Sequence, residues 1–209
     1  VTSARLWCAL VLALATVVRP PSLHAAFPKQ GLTSEEPSLK GQLLLASPGM
    51  GDPRFRRAVI LMVKHDKTGA LGITINRPVG VRALATLLEA LGKQAPPGAG
   101  TVSLYAGGPV QPEAGFVVHS PEYDRQETAR VTEDVSVTSS LDVLVDMASG
   151  KGPQKALVAF GYAGWAPGQL EAELARDDWL LVPADPALVF DTARERVWDE
   201  AMARRERVP

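Results

Sequence analysis

The run Gly161-Tyr162-Ala163-Gly164-Trp165-Ala166-Pro167-Gly168-Gln169-Leu170-Glu171 holds the densest set of residues able to grip a ligand. Its glycines suit a strand-to-helix turn, and Tyr162 and Trp165 supply flat apolar contact area. The helix it opens leaves backbone amides free to meet an anion, and Glu171 in the first turn complements the helix dipole. Gly107-Gly108-Pro109 can bring a second backbone turn close, and Asn76-Arg77-Pro78 sets an arginine at a strand end, where it can pair with a carboxylate or phosphate. The expectation is one concave surface for a ligand or partner, lined by Asn76, Arg77, Gly107, Gly108, Pro109, Tyr162, Gly164, Trp165, Gln169 and Glu171. An architectural explanation competes with it. The glycines then serve sharp turns, Asn76 shapes a turn, Arg77 makes a structural ion pair, and Trp165 with Tyr162 plugs the core.

Catalysis has fewer candidates. His119 beside Ser120 invites a hydrolase reading, yet adjacent strand residues point to opposite faces and cannot easily bond one another. No G-x-S-x-G elbow occurs in the chain, so His119 would need a distant serine such as Ser47 or Ser139. A metal would have to be gathered from His65, Asp66, His119 and Asp52, without any local His-x-x-x-His or Cys-x-x-Cys pair. The sequence argues against one. No G-x-G-x-x-G or Walker A pattern points to a nucleotide either, so no cofactor is expected.

The elements that must position these groups alternate between strand and helix patterns. Gln42–Ala46, Ala58–Val63, Ala70–Ile75, Val102–Ala106, Gly115–His119, Val131–Thr138 and Lys155–Phe160 read as strands, with Asp66–Gly69 closing a hairpin. Residues 84, 87, 88 and 91 carry the helical spacing of apolar side chains, which predicts a helix over Val81–Leu91. Further helices are predicted from Ser139 or Ser140 to Ala148, from Pro167 to about Ala175, briefly from Asp185, and over Glu195–Glu206. Hairpins mixed with separated helices give an α+β class, and the run Gly161–Gly168 reads as the turn between the last long strand and its helix.

Composition narrows the function classes. The 209 residues include 22 Lys plus Arg, 23 Asp plus Glu and a single cysteine, Cys8. A net charge of −1 argues against a dedicated nucleic-acid binder, and one thiol forbids an internal disulfide. The apolar run Leu6–Val18 is too short for a stable membrane span, which takes about 20 residues. With Arg5 before it, Pro20 and Pro21 behind it and Ala25-Ala26 beyond, residues 1–26 read as a secretory signal peptide, followed by a polar linker over 27–39. Cleavage there removes Cys8 and His24 and leaves 20 basic and 23 acidic residues, with His65 and His119 the only histidines.

Three stretches resemble the YqgE/AlgH family of bacterial proteins. They are GQLLLASPGM with Asp52-Pro53-x-Phe55, His65 and GALGITINRP between Gly41 and Pro78; Gly107-Gly108-Pro109-Val110 with Gly115–His119; and GYAGWAPGQLEAEL, continuing through Trp179-Leu180 and Val182-Pro183. Lys64-His65-Asp66 stands where the family has Glu-His-Asn. The resemblance implies a single α+β domain over residues 40–205, a branched mixed sheet curled into a pseudo-barrel with helices outside. It implies no reaction. The leading reading is therefore a non-enzymatic binding or regulatory module with an unidentified protein or small-molecule partner. The alternative is a hydrolase using His119 as base. A transcriptional regulator, as the AlgH name suggests, comes third, because no helix-turn-helix or basic recognition stripe is present. Export, with a periplasmic location, follows if residues 1–26 act as a signal; the cytosolic location of typical family members is the alternative.

Overall fold

A computed structural model describes residues 38–205, and its strands outweigh its helices. In chain order the strands are β1 (Gln42–Ala46), β2 (Val59–Asp66), β3 (Gly69–Thr74), β4 (Pro78–Ala83), β5 (Thr101–Ala106), β6 (Val110–His119), β7 (Thr128–Arg130), β8 (Ser136–Thr138), β9 (Ala156–Trp165) and β10 (Trp179–Pro183). The helices are α1 (Leu84–Ala90), α2 (Asp142–Ala148), α3 (Gln169–Leu174) and α4 (Val197–Arg205), with one π-helical turn at Ala187–Asp191. The signal peptide expected over 1–26 and nearly all of the linker expected over 27–39 lie outside the described residues.

The sheet runs β10-β1-β2-β3-β9-β6-β8-β7 and branches at β9. The first half of β9 pairs with β5 in parallel, Val158 opposite Leu104, while its second half pairs with β3 antiparallel, Gly164 opposite Leu71. Gly107 makes the branch. Its N–H donates to the Phe160 carbonyl at 2.7 Å, and its own carbonyl accepts from Thr74 N–H at 2.8 Å. A side chain there, or at Gly108, would collide with the backbone of Gly161 or Tyr162. Gly161, at φ +73°, lets β9 bend past this crossing.

Strand β2 shows why the sheet curls. Val59 to Met62 are fully buried, which requires cover on both faces. Val59, Leu61 and Val63 join one cluster with Leu43, Leu45, Phe116, Val118 and Val137, closed by Leu188, Val189, Val197 and Ala201 from the π turn and α4. Ile60 and Met62 face a second cluster beneath α3, with Leu44, Trp165, Leu170 and Trp179. A third lies under α1 and α2, where Leu84, Leu88, Val143 and Leu144 cover Val117 and Val158. This is the expected α+β architecture, a branched sheet curled into a pseudo-barrel with peripheral helices.

Several boundaries differ from the sequence reading. Val81–Ala83 does not open a helix; it ends β4, because pairing with β5 overrides the periodic apolar residues, and α1 begins only at Leu84. Gly161–Trp165 is strand rather than turn, since β3 offers Ala163–Trp165 a partner, and the turn shrinks to residues 166–168. Of the strand expected over Val131–Thr138 only Ser136–Thr138 forms, as β8; Val131–Val135 is instead the turn that joins it to β7, in which Val131 and Thr132 N–H both meet the Val135 carbonyl. At α2, Leu141 takes the cap position and Ser140 Oγ only accepts from Asp142 N–H at 3.3 Å.

Candidate functional site

The residues expected to share one surface occupy three places. On the outer face, Trp165 is 7% exposed and packs edge-on to Trp179, which packs edge-on to Phe55. Both indole N–H groups donate to one oxygen, Glu173 Oε2, each at 2.8 Å. Gln169 Nε2 donates to the other oxygen, Oε1, at 2.9 Å, while Gln169 Oε1 accepts from Ala166 N–H. Helix α3 is thereby clasped to the sheet, and one of the amides expected to be free for an anion is taken by Gln169. Glu173 is a residue the sequence reading passed over. Its signal was the i, i+4 spacing from Gln169 that puts both side chains on one helix face.

On the opposite face of β9 sit Tyr162 and Gly164. Tyr162 packs edge-on to Phe116 against the first cluster, and a Cβ at Gly164 would touch the tyrosine ring at 3.2 Å. Gly107 and Gly108 do approach this strand closely, as expected, but by packing backbone on backbone; Pro109 is exposed beside them. The third place is the bend after β3. Asn76 Oδ1 accepts from Val59 N–H and Asn76 Nδ2 donates to the Arg57 carbonyl, both at 2.9 Å, and Arg77 Nη2 donates to the Arg56 carbonyl at 2.7 Å. These bonds pin the 52–58 loop to the sheet. Because Tyr162 and Trp165 are an odd number of residues apart in a strand, one surface cannot hold both.

The two histidines of the described residues have all four ring nitrogens engaged. His119 is fully buried, with Nδ1–H donating to the Ser120 carbonyl and Nε2 accepting from Thr138 Oγ1, both at 2.8 Å. Thr138 in turn accepts from Thr128 Oγ1, which accepts from Arg125 N–H, so the chain of donors reaches the ring with a fixed direction. Burial pulls the imidazole below its ordinary pKa. Ser120 Oγ donates instead to Glu122, and among the described residues His119 hydrogen-bonds no carboxylate or serine hydroxyl. His65 accepts Leu39 N–H on Nδ1 at 3.1 Å, so Nε2 carries the proton donated to Glu171 Oε1 at 2.7 Å. Glu171's own backbone N–H first, and the His65 ring second, hold its carboxyl below the ordinary range. Metal-like gathering of His65, Asp66, His119 and Asp52 does not occur: among the described residues no three His, Cys, Asp or Glu side chains converge.

An open depression of about 420 Å³ lies between α2 and the 125–127 loop, lined by Arg125, Glu127, Ser140, Asp142 and Asp146. Tyr123 Oη donates to Asp146 at 2.7 Å, and burial together with this carboxylate pushes the phenol up to about 12. Arg125 Nη2 pairs with the same Asp146 oxygen, so the central polar groups answer each other.

The fold and these engaged groups define a class: an α+β half-barrel whose dense motifs fasten its own elements. The AlgH-like family model matches residues 43–207, and the chain belongs to that family. A UPF0301 protein of Chromobacterium violaceum is 44% identical over 170 residues, covering 81% of this chain and 91% of that one. The AlgH protein from Pseudomonas aeruginosa, known in solution, is 42% identical with a TM-score of 0.70, over 86% of this chain and 94% of that one. A crystal structure from Corynebacterium diphtheriae is 25% identical with a TM-score of 0.65, over 85% and 92% respectively.

Proposed function

We propose that the protein is a non-enzymatic binding module whose partner is another protein. One contrast supports the reading. The imidazoles that could do chemistry are engaged internally at both nitrogens, whereas β4 turns large apolar side chains to solvent, Val79 at 61% and Val81 at 57% exposure. Single exposed apolar residues are ordinary; two on one strand that, among the described residues, pairs only with β5 are a surface suited to contact. A regulatory role would follow from what the module binds. We further infer that residues 1–26 direct export, which places the mature domain in the periplasm. No helix among the described residues is long and apolar enough to cross a membrane.

The test is chemical cross-linking in the native host followed by purification of the tagged chain. A partner recovered in defined proportion supports the module. A chain that purifies alone, and that turns over ester or peptide substrates in a manner abolished by His119→Gln, overturns it.

A further inference from the structure

We propose that β4 is a docking edge: an extended, acid-flanked segment of the partner joins the sheet as an additional strand beside residues 79–83. This rests on the binding-module reading and names the chemistry of the partner.

The other free ends of the sheet give a newcomer little. β7 is three residues long and ends in Arg130, and β10 ends in Pro183. β4 is six residues long, and among the described residues it pairs only with β5, Val81 opposite Ser103 and Ala83 opposite Thr101. All four of those residues are exposed, so one face of the ribbon is apolar and hydroxylic, without charge. The backbone is also available. In an antiparallel ladder a residue's N–H and C=O point to the same side. The Val81 carbonyl accepts from the exposed guanidinium of Arg82, Nη1 at 2.9 Å, so residue 81 turns its peptide groups toward the free edge. A flexible side chain holds the place an incoming N–H would take.

Charge selects the occupant. Arg77 and Arg82 bracket the strand, about 17 Å apart along an extended chain. The bonds each guanidinium makes are to carbonyl oxygens, of Arg56 and Val81, and among the described residues neither pairs with a carboxylate. A segment with branched apolar residues and a carboxylate at each end satisfies both arginines and covers Val81, with exposed Val79 beside it at the bulge between Pro78 and Gly80. A second copy does not. In the two-fold register that aligns the full length of β4 with itself, centred between Val79 and Gly80, Arg77 of each copy falls beside Arg82 of the other, setting like charges together at both ends of the seam.

The probe is a fluorescent peptide of about eight residues, alternating valine and threonine with aspartates at both ends. The full chain should bind it, with amide chemical-shift changes confined to residues 77–83. Replacing the aspartates by lysines should weaken binding about tenfold or more. Val81→Pro removes an N–H that faces away from β5, so the ladder survives while an incoming strand is blocked, and binding should be lost. Should Val81→Pro fail to fold, the exposed pair Val79→Ser with Val81→Ser should weaken binding with an unchanged circular dichroism spectrum. No binding at millimolar peptide, shifts elsewhere, equal binding by lysine-flanked peptide, or a dimer lost in Val81→Pro would each overturn the proposal. If the cross-linked partner is still captured by Val81→Pro, the binding-module reading stands and only this edge is refuted; if wild type captures nothing, that reading fails.

Discussion

Replacing Glu173 by alanine tests whether the α3 motif is a structural clasp. Trp165 and Trp179 are 7% and 3% exposed, and both indole donors converge on one carboxylate oxygen. Each donor left buried and unpaired costs about 1–3 kcal/mol, so with two donors Glu173→Ala should lose about 2–6 kcal/mol in all. A domain of this size holds only about 5–15 kcal/mol of stability, so the loss would be large. Glu173→Gln should fall between: its carbonyl can still accept both indoles, but its amide group meets the Gln169 amide, donor against donor. Glu171→Ala is the control, since that side chain is 50% exposed and its removal should cost less than about 1 kcal/mol. Urea unfolding followed by far-ultraviolet circular dichroism measures all three. A Glu173→Ala loss no greater than that of Glu171→Ala would refute the clasp.

Trp165→Ala should cost about 3–5 kcal/mol in the same assay, as for other large core truncations; a folded variant of native stability would return Trp165 to the list of contact residues. Burial lowers the His119 pKa, so between its folded value and the unfolded value of about 6.5 only the unfolded chain takes up the proton. His119 therefore contributes full stability above pH ~6.5 and loses it as pH falls below, a slope that His119→Gln should flatten. Gly108→Ala drives a methyl into the Tyr162 backbone and should lower stability by about 2 kcal/mol or more, read as a fall in Tm. N-terminal sequencing of the protein from its native host should find a chain beginning near Ala26 or Phe27; a start near Leu39 or Lys40 would refute export.

The strands that were legible are those whose apolar runs need cover on both faces, such as Val59–Val63 and Leu43–Ala46. The helix that was misplaced by three residues shows the opposite case. Residues 84, 87, 88 and 91 keep helical spacing, but nothing local says that Val81–Ala83 will meet β5 first, because β pairing is a long-range event. Likewise Gly161–Trp165 looks like a turn by composition. Only the arrival of β3 beside it, with Leu71 opposite Gly164, makes it strand. The close approach of Gly107 and Gly108 to that strand was readable, since paired glycines flag backbone contact, but its purpose as a branch in the sheet required the register.

The same logic explains where attention belongs on this molecule. GYAGWAPGQLEAEL gathers aromatics, acids and an amide in fourteen residues, and nearly every polar group in it finds a partner within the same chain: Trp165 and Gln169 on Glu173, Glu171 on His65. A side chain answered in this way has little left to offer a ligand, however chemical it looks in sequence. Arg77–Ala83 is bland by comparison, yet it exposes two valines, its edge peptide at Val81 meets a flexible Arg82 side chain, and its two guanidinium groups bond carbonyls rather than carboxylates among the described residues. Unanswered valence, more than richness of residue type, marks a surface that can still form bonds, and on the described domain β4 combines apolar, backbone and ionic forms of it in one strand.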